Sequence, residues 1–190
     1  MISRIDHVSI AVRDPENALN FFRKIFGAVP GASGSDGQMK YSWRILSAGD
    51  LSRLELIAPT GEGSFLDNFL KEKAAGVHHI TFETPDIRQA KAALEAHKIP
   101  FFGFSDRDPA WKELFIHPRD AFGVLIQIAE FRPDEWLDES VIFPEGRRWA
   151  AEKNTEGGTL TLAHPGGGKV AIELNRDEIE TLVSDLEKLL

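Results

Sequence analysis

The chain has 190 residues, of which 42% are hydrophobic and 27% are charged, and it contains no cysteine. This composition is typical of one large globular domain or two small ones, and it excludes disulfides and thiolate ligands. A formal net charge of −8 argues against nucleic acid and anionic membranes as partners. Because the chain has neither a signal-peptide layout nor a long apolar run, we expect a cytoplasmic protein that does not enter a membrane.

The first strand and helix are predicted at 4–26. Apolar side chains alternate along 5–12, so that one face is aliphatic and the other combines His7 with small residues. Asp14 followed by Pro15 is typical of a helix start, and Gly27 is typical of a helix end. The glycine- and serine-rich stretch 30–37 is predicted to be a loop.

Two antiparallel strands are expected next, at 39–48 and 51–58. In the second of them, Leu54 and Leu56 share one face, and Glu55 lies on the opposite face. A short helix is predicted at 65–73.

The same pattern then recurs. His79 follows His7 by 72 residues, and Gln127 follows Glu55 by the same 72 residues. Asp86 is predicted to cap a helix at 87–97, and strands are predicted at 101–104, 111–117 and 123–130. The sequence therefore predicts an α+β fold in which two tandem βαβββ modules, about 4–60 and 76–131, form one curved mixed sheet within a domain at 1–131.

The C-terminal third does not take part in the repeat. We interpret 132–158 as a linker and 159–190 as a ββα extension, whose hairpin turns at 164–168 and whose helix is capped by Asn175. The helix carries an apolar stripe that one hairpin is too small to bury, so we expect it to cover the main domain or a partner subunit. The stripe consists of Ile179, Leu182, Val183, Leu186 and Leu189.

Four residues are predicted to bind one metal ion. A histidine on a strand is usually structural, but His7, Glu55, His79 and Gln127 repeat at one offset and all lie off the apolar faces. Two imidazoles, a carboxylate and an amide oxygen suit a divalent ion such as Zn, Co, Ni, Mn or Fe. The duplication would bring all four side chains to one cleft.

Several segments, which together span most of 4–131, resemble those of a known family. They are IDHVSIAV at 5–12, LELIAPTGEGSFLDNFL at 54–70, GVHHITFE at 76–83 and FIHPRDAFGVLIQI at 115–128. With these segments the chain resembles the vicinal oxygen chelate superfamily (glyoxalase, bleomycin resistance and dioxygenase proteins), and within it the methylmalonyl-CoA epimerases. Nothing in 132–190 resembles a known module.

The resemblance implies a metal-dependent isomerase or epimerase. The family's metal positions fall on His7, Glu55, His79 and Gln127, and the implied substrate is an acyl-CoA thioester or a similar chelating carbonyl compound. The implied reaction passes through an enolate. A homodimer is also expected, since two-module members of this superfamily commonly pair.

Two departures from the family pattern concern carboxylates. The family usually has Glu at the position of Gln127 and Gln or Glu at that of Glu55, so the two ligand types are exchanged here. The epimerases also use a further Glu as acid/base in the strand before Glu55, where 37–49 contains no carboxylate. We interpret Glu83 and Glu113 as solvated strand carboxylates, so no catalytic residue is assigned.

Three alternatives remain open at this point. The first is a glyoxalase I-like lyase, and the second is an Fe(II) dioxygenase, which would usually take its carboxylate from the second half of the chain. The third is a small-molecule-binding protein that has kept the fold and lost catalysis. The fold alone does not decide among them.

Overall fold

The computed structural model describes residues 2–48, 52–131, 147–163 and 169–190, which form two β-sheets and four α-helices. The larger sheet has eight strands in the spatial order β2-β3-β4-β1-β5-β8-β7-β6. Its strands are β1 (Arg4–Val12), β2 (Val29–Asp36), β3 (Tyr41–Ser47), β4 (Arg53–Pro59), β5 (Ala75–Glu83), β6 (Phe102–Ser105), β7 (Trp111–Ile116) and β8 (Leu125–Phe131). The helices associated with it are α1 (Pro15–Phe26), α2 (Leu66–Phe69) and α3 (Ile87–Ala96).

The two halves of this sheet have the same internal order. In the first half β1 lies parallel to β4, and in the second half β5 lies parallel to β8. The halves join through the antiparallel pair β1 and β5, which places the first strands of both modules at the centre. The predicted α+β class is confirmed, and each half has the predicted order of strand, helix and three strands.

α1 and α3 begin where the sequence indicates and end within one residue of the predicted positions, whereas the helix predicted at 65–73 is shorter and spans Leu66–Phe69. Asp14 accepts a hydrogen bond from the Asn17 N–H at the start of α1, and Gly27 ends that helix with a φ of 64°. In α3 the Asp86 carboxylate caps two backbone N–H groups in the same way. α1 and α3 pack their apolar sides on one face of the sheet. α2 covers part of the opposite face, where Leu66 and Leu70 form a further core cluster with Ala11 and Ile57. One core cluster lies under α1 (Val12, Leu19, Ala28, Leu46, Leu56, Ala58) and one under α3 (Ile87, Ala90, Leu114, Ile116, Ala121, Ile128).

The prediction of a loop at 30–37 is wrong, because β2 occupies this stretch. The strand pairs with β3, and Gly34 lies directly opposite Trp43. Glycine and serine weaken an isolated strand, which is why the sequence indicates a loop. Here the neighbouring strand supplies the hydrogen bonds, and the lack of a side chain at Gly34 leaves room for the indole ring.

The C-terminal region forms a separate three-stranded sheet with one helix. It consists of β9 (Trp149–Lys153), β10 (Gly157–Ala163), β11 (Lys169–Asn175) and α4 (Arg176–Glu187). Because β9 pairs with β10, the end of the predicted linker 132–158 is a strand, and the expected ββα unit is a βββα unit. The remaining linker stretch 132–146 and the predicted turn 164–168 lie outside the described residues.

The apolar stripe on α4 is only partly covered. Ile179 and Leu182 are half-buried, and Ile179 lies against Gly158 of β10. Val183, Leu186 and Leu189 are exposed. Within the described residues, no helix is long and apolar enough to cross a membrane.

Candidate metal and substrate site

The predicted site residues come together on the face of the large sheet that α1 and α3 leave open. In the register of the strands, Ser9 lies opposite both Glu55 and His79, and Thr81 lies opposite both His7 and Gln127. All six of these polar side chains therefore point to the same side. The four predicted ligands among them line a cavity of about 730 Å³ together with residues of β3, β7 and the α2 region.

Three of the four predicted ligands form a tight cluster. Glu55 Oε2 is 3.6 Å from His7 Nε2 and 3.5 Å from His79 Nε2. One ligand atom from each of these residues lies within 4.8 Å of the others. A Zn-like ion bound at about 2.1 Å keeps neighbouring tetrahedral ligands about 3.4 Å apart, so this spacing fits such an ion.

The oxygen of Glu55 at the centre of the cluster supports the same interpretation. Glu55 Oε2 is buried and has no hydrogen-bond partner among the described residues. A buried carboxylate oxygen without a hydrogen-bond partner is costly, because it has lost the hydrogen bonds that water would make. A bound cation would satisfy it, and the donor set of two imidazoles and a carboxylate suits the divalent ions expected from the sequence.

Gln127 reaches the same cluster through Thr81. The Thr81 hydroxyl oxygen is 2.9 Å from His7 Nε2 and donates to Gln127 Oε1 at 2.5 Å. The Gln127 amide nitrogen donates to Glu113 Oε2 at 2.7 Å. The structure thus brings all four predicted residues together, with the Gln127 oxygen held by a hydroxyl that also contacts a histidine of the cluster.

Asp6 orients His7. The Asp6 Oδ2 atom lies 2.7 Å from His7 Nδ1 and is also bound by Arg53, while Arg4 binds the other oxygen. Burial acts to raise the pKa of Asp6, but the hydrogen bond from His7 and the charge of Arg53 outweigh it and lower that pKa to about 2. In the neutral ring of His7, an ionised Asp6 keeps the proton on Nδ1, so that the Nε2 lone pair faces the cavity.

The second histidine is positioned by its neighbour. His79 Nδ1 is 2.9 Å from His78 Nδ1, and the His78 ring packs edge-on against Phe65 and Phe69. Burial lowers the pKa of both His78 and His79, that of His79 to about 4. His79 is therefore neutral near pH 7, which is the form that binds a metal.

His7 and Glu55 each favour the charged form of the other. Burial acts to lower the pKa of His7, but Asp6 and Glu55 together raise it above its ordinary value. Burial acts to raise the pKa of Glu55, but His7 and His79 lower it to about 2. The Glu55 carboxylate is therefore ionised and lies between the imidazoles of His7 and His79. A divalent ion bound to all three side chains would take the place of these contacts.

Glu113 is the functional candidate that the sequence interpretation missed. It was expected to be a solvated strand carboxylate, but it lines the cavity and accepts hydrogen bonds from Trp111 Nε1 at 2.8 Å and from Gln127. Glu83 instead forms an ion pair with Arg4. A signal was present, since Glu113 follows Tyr41 by the same 72 residues that separate the ligand pairs.

Tyr41 lines the same cavity from the other half of the sheet. Burial raises the pKa of its phenol to about 12, with further contributions from the charges of Glu55, Glu113 and Asp36. The phenol is therefore protonated near neutral pH and can donate a hydrogen bond or a proton.

Comparison with known proteins gives the same family as the sequence resemblance. The model of the Glyoxalase/Bleomycin resistance protein/Dioxygenase superfamily matches residues 6–115. An ethylmalonyl-CoA/methylmalonyl-CoA epimerase of Cereibacter sphaeroides is 33% identical over 134 residues, which cover 68% of this chain and 99% of that protein. The mitochondrial methylmalonyl-CoA epimerase of Homo sapiens is 33% identical over 132 residues, covering 68% of this chain and 74% of the relative.

A solved structure has the same fold. A Streptomyces coelicolor methylmalonyl-CoA epimerase variant in complex with 2-nitronate-propionyl-CoA superposes with a TM-score of 0.63 at 27% identity, covering 69% of this chain and 99% of that one. The match leaves about a third of the present chain outside it. By its family match, its relatives and its fold, the chain belongs to the glyoxalase/bleomycin resistance/dioxygenase superfamily, that of the vicinal oxygen chelate proteins.

Proposed function

We propose that this protein is a divalent-metal-dependent epimerase or isomerase that acts through the enolate of a chelating carbonyl substrate, such as an acyl-CoA thioester. The observation that carries the proposal is the cluster of His7, Glu55 and His79, whose ligand atoms lie within 4.8 Å of one another at the base of a cavity. The curated relatives named above, which are epimerases of acyl-CoA thioesters, support the same reaction class.

His7, Glu55, His79 and Gln127 would hold the ion. When bound, a divalent ion supplies Lewis-acid stabilisation for the negative charge that develops on a carbonyl oxygen as the α-proton leaves. For Gln127 to contribute its amide oxygen, the hydrogen bond from Thr81 has to be given up or shared. Its amide nitrogen can keep its bond to Glu113.

We assign the removal of the α-proton to Glu113. It lines the cavity but is not one of the ligands, and hydrogen bonds from Trp111 and Gln127 hold its Oε2 atom in place. A general base must be positioned within reach of the proton it removes, and a carboxylate fixed beside a ligand residue meets that condition. The carboxylate that the family pattern places before the Glu55 strand would thus have its counterpart in the second half of this chain.

Epimerisation also needs a proton donor for the opposite face of the enolate. Tyr41 is suited to this role because it lies on β3, in the opposite half of the sheet from Glu113 on β7, and its raised pKa keeps the phenol protonated. An isomerase that delivers the proton to a neighbouring carbon on the same face of the enolate would need Glu113 alone. The two reactions therefore differ in their dependence on Tyr41.

The test combines metal analysis with proton exchange. After dialysis against a divalent ion, the wild type should retain about one ion per chain, and His79→Ala should bind it at least about tenfold more weakly because water is a poorer ligand than imidazole. The metal-loaded protein should exchange the α-protons of acyl thioesters for solvent deuterium. Glu113→Gln should lower the exchange rate by about 10²–10⁴-fold while metal content stays unchanged.

The control and the contrary results are specific. Glu83→Gln removes a carboxylate that pairs with Arg4 rather than lining the cavity, and it should leave exchange unchanged. Equal metal retention by the wild type and His79→Ala would refute the ligand set. Metal binding without any exchange across a thioester panel would favour the binding-protein alternative over the proposed reaction.

A further inference from the structure

Six aromatic side chains are among the described residues that line the cavity above the ligand cluster. Its aromatic lining residues come from both halves of the sheet and from the start of α2: Tyr41, Trp43, Phe65, Phe102, Trp111 and Phe115. A cavity of about 730 Å³ is large enough for a ring as well as a chelating carbonyl group. The residues of the cavity walls therefore indicate the chemistry of the part of the substrate that the ion does not bind.

The wall of the first half is built on a glycine. Gly34 of β2 lies directly opposite Trp43 of β3, and a Cβ atom at Gly34 would lie only 2.8 Å from the indole Cζ2. The indole therefore packs closely against the backbone of β2 at Gly34. Its position is set by packing before any ligand arrives, so a ligand ring does not have to order it.

The second half repeats this construction. Gly103 of β6 has a φ of 65°, and a Cβ atom there would lie 3.0 Å from the Phe115 ring on β7. Phe102 stacks on the same ring, with centroids 5.6 Å apart and an angle of 26° between the planes. In both halves, therefore, a glycine on the edge strand supports an aromatic side chain that faces the cavity.

The charged residues around the cavity are mainly acidic. Among the described lining residues, the lysine and arginine class is represented by Arg53, which is 5% exposed and pairs with Asp6, while its Nε and Nη1 atoms have no hydrogen-bond partner in the described part of the chain. Two further lining residues, Asp36 and Asp108, are acidic. The aromatic side chains of the walls offer an apolar ring a matching surface.

We infer that the substrate carries an aromatic ring, or a bulky apolar group of similar size, next to its chelating carbonyl, and that the walls built on Trp43 and Phe115 hold this group. The chelating end of the substrate rests on the proposed function. The aromatic subsite itself rests on the packing of the two glycine-supported walls.

The test compares two neutral thioesters that differ only in a ring. Propionyl and 3-phenylpropionyl thioesters of N-acetylcysteamine have the same carbonyl and the same α-CH₂ group. Their dissociation constants for the full-length protein would be measured by titration calorimetry, with and without bound Zn²⁺. We expect the phenyl compound to bind at least about tenfold more tightly in both forms, since burying a ring removes a large apolar area from water.

Variants locate the selectivity. Phe102→Ala removes a half-exposed ring from one wall, and Trp43→Leu removes the indole from the other; each should lower the affinity ratio at least about threefold. Trp149→Ala is the matched control, because Trp149 is a half-exposed tryptophan on β9, outside the cavity. Thermal melts of each variant identify any that fail to fold, and Phe102→Ala alone is sufficient for the test.

The outcomes separate the inference from the proposed function. Equal binding of the two thioesters, or an unchanged ratio in folded Phe102→Ala, would overturn the aromatic subsite. Deuterium exchange at the α-carbon is measured on the same compounds and tests the reaction alone. Ring selectivity without exchange would support the subsite and refute the reaction, while exchange without ring selectivity would do the reverse.

Discussion

Asp6 orients one residue of the ligand cluster, His7, without being one of the predicted metal ligands. It is 2% exposed, and its carboxylate joins His7 to Arg53 and Arg4. Substituting a carboxylate that orients a metal-binding histidine typically weakens metal binding 10–100-fold. Asp6 also neutralises the buried Arg53, so its loss affects stability as well.

We therefore expect Asp6→Asn to weaken binding of a divalent ion by about 10–100-fold and to lower the melting temperature. The amide cannot stabilise the proton on His7 Nδ1 as an ionised carboxylate does, and it leaves Arg53 without its counter-charge. Metal affinity would be measured by competition with a chromophoric chelator. Glu83→Gln, which removes the other partner of Arg4, is the control and should keep its affinity. Wild-type affinity in Asp6→Asn would show that His7 is oriented by packing alone.

Gln127→Glu should have opposite effects on the metal-free and the metal-loaded protein. Gln127 Nε2 donates to Glu113 at 2.7 Å, so a carboxylate at 127 would lose this bond and face a like charge. We expect the metal-free variant to melt at a lower temperature, because its free energy of unfolding should fall by about 1–3 kcal/mol. Metal affinity should rise, because an anionic ligand replaces a neutral one.

Thermal melts with and without Zn²⁺ check this prediction. Gln89→Glu is the control, since Gln89 is an exposed residue in the first turn of α3, where a carboxylate is well tolerated. Melting and metal affinity both unchanged in Gln127→Glu would remove this residue from the site.

At the scale of the elements, patterns of alternation predicted the faces of strands correctly, and composition misled where strands are poor in apolar residues. The alternation around His7 and Glu55 placed both on the open face, because period two leaves only two choices for each side chain. β2 and β9 were missed, since their pairing comes from neighbouring strands that no local signal describes. Glu113 was missed for a related reason, because its hydrogen bonds to Trp111 and Gln127 depend on strand register.

The contact between β2 and β3 makes a sharp prediction for Gly34→Ala. The new methyl group would meet the Trp43 ring at 2.8 Å, so either the indole or the β2 backbone must move. We expect the free energy of unfolding to fall by about 1–3 kcal/mol, as at other overpacked sites. The near-ultraviolet circular dichroism spectrum should also change. Gly37→Ala is the matched control, because a Cβ atom there meets nothing within 4 Å. If both variants have the melting temperature of the wild type, the indole does not pack against β2.

At the scale of the whole molecule, the duplication is what made the site predictable. A shared offset of 72 residues linked His7 to His79 and Glu55 to Gln127, and the junction of the halves at β1 and β5 brings the two pairs together. The repeat does not extend to 132–190, so it provides no register for the third strand of the extension.

This division of the chain predicts the result of truncation after Phe131. The three described core clusters and the lining of the cavity lie within residues 2–131, so the truncated chain should fold and retain its divalent ion. The extension exposes several large apolar side chains, namely Trp149, Leu162, Ile172, Val183 and Leu186, each 38–53% exposed. Such a surface is typical of one that another surface covers, and we expect truncation to lower the association state seen by sedimentation. Full-length protein at the same concentrations is the reference. Loss of the metal on truncation would show that the extension supports the site, and unchanged mass and melting temperature would show that it packs against nothing.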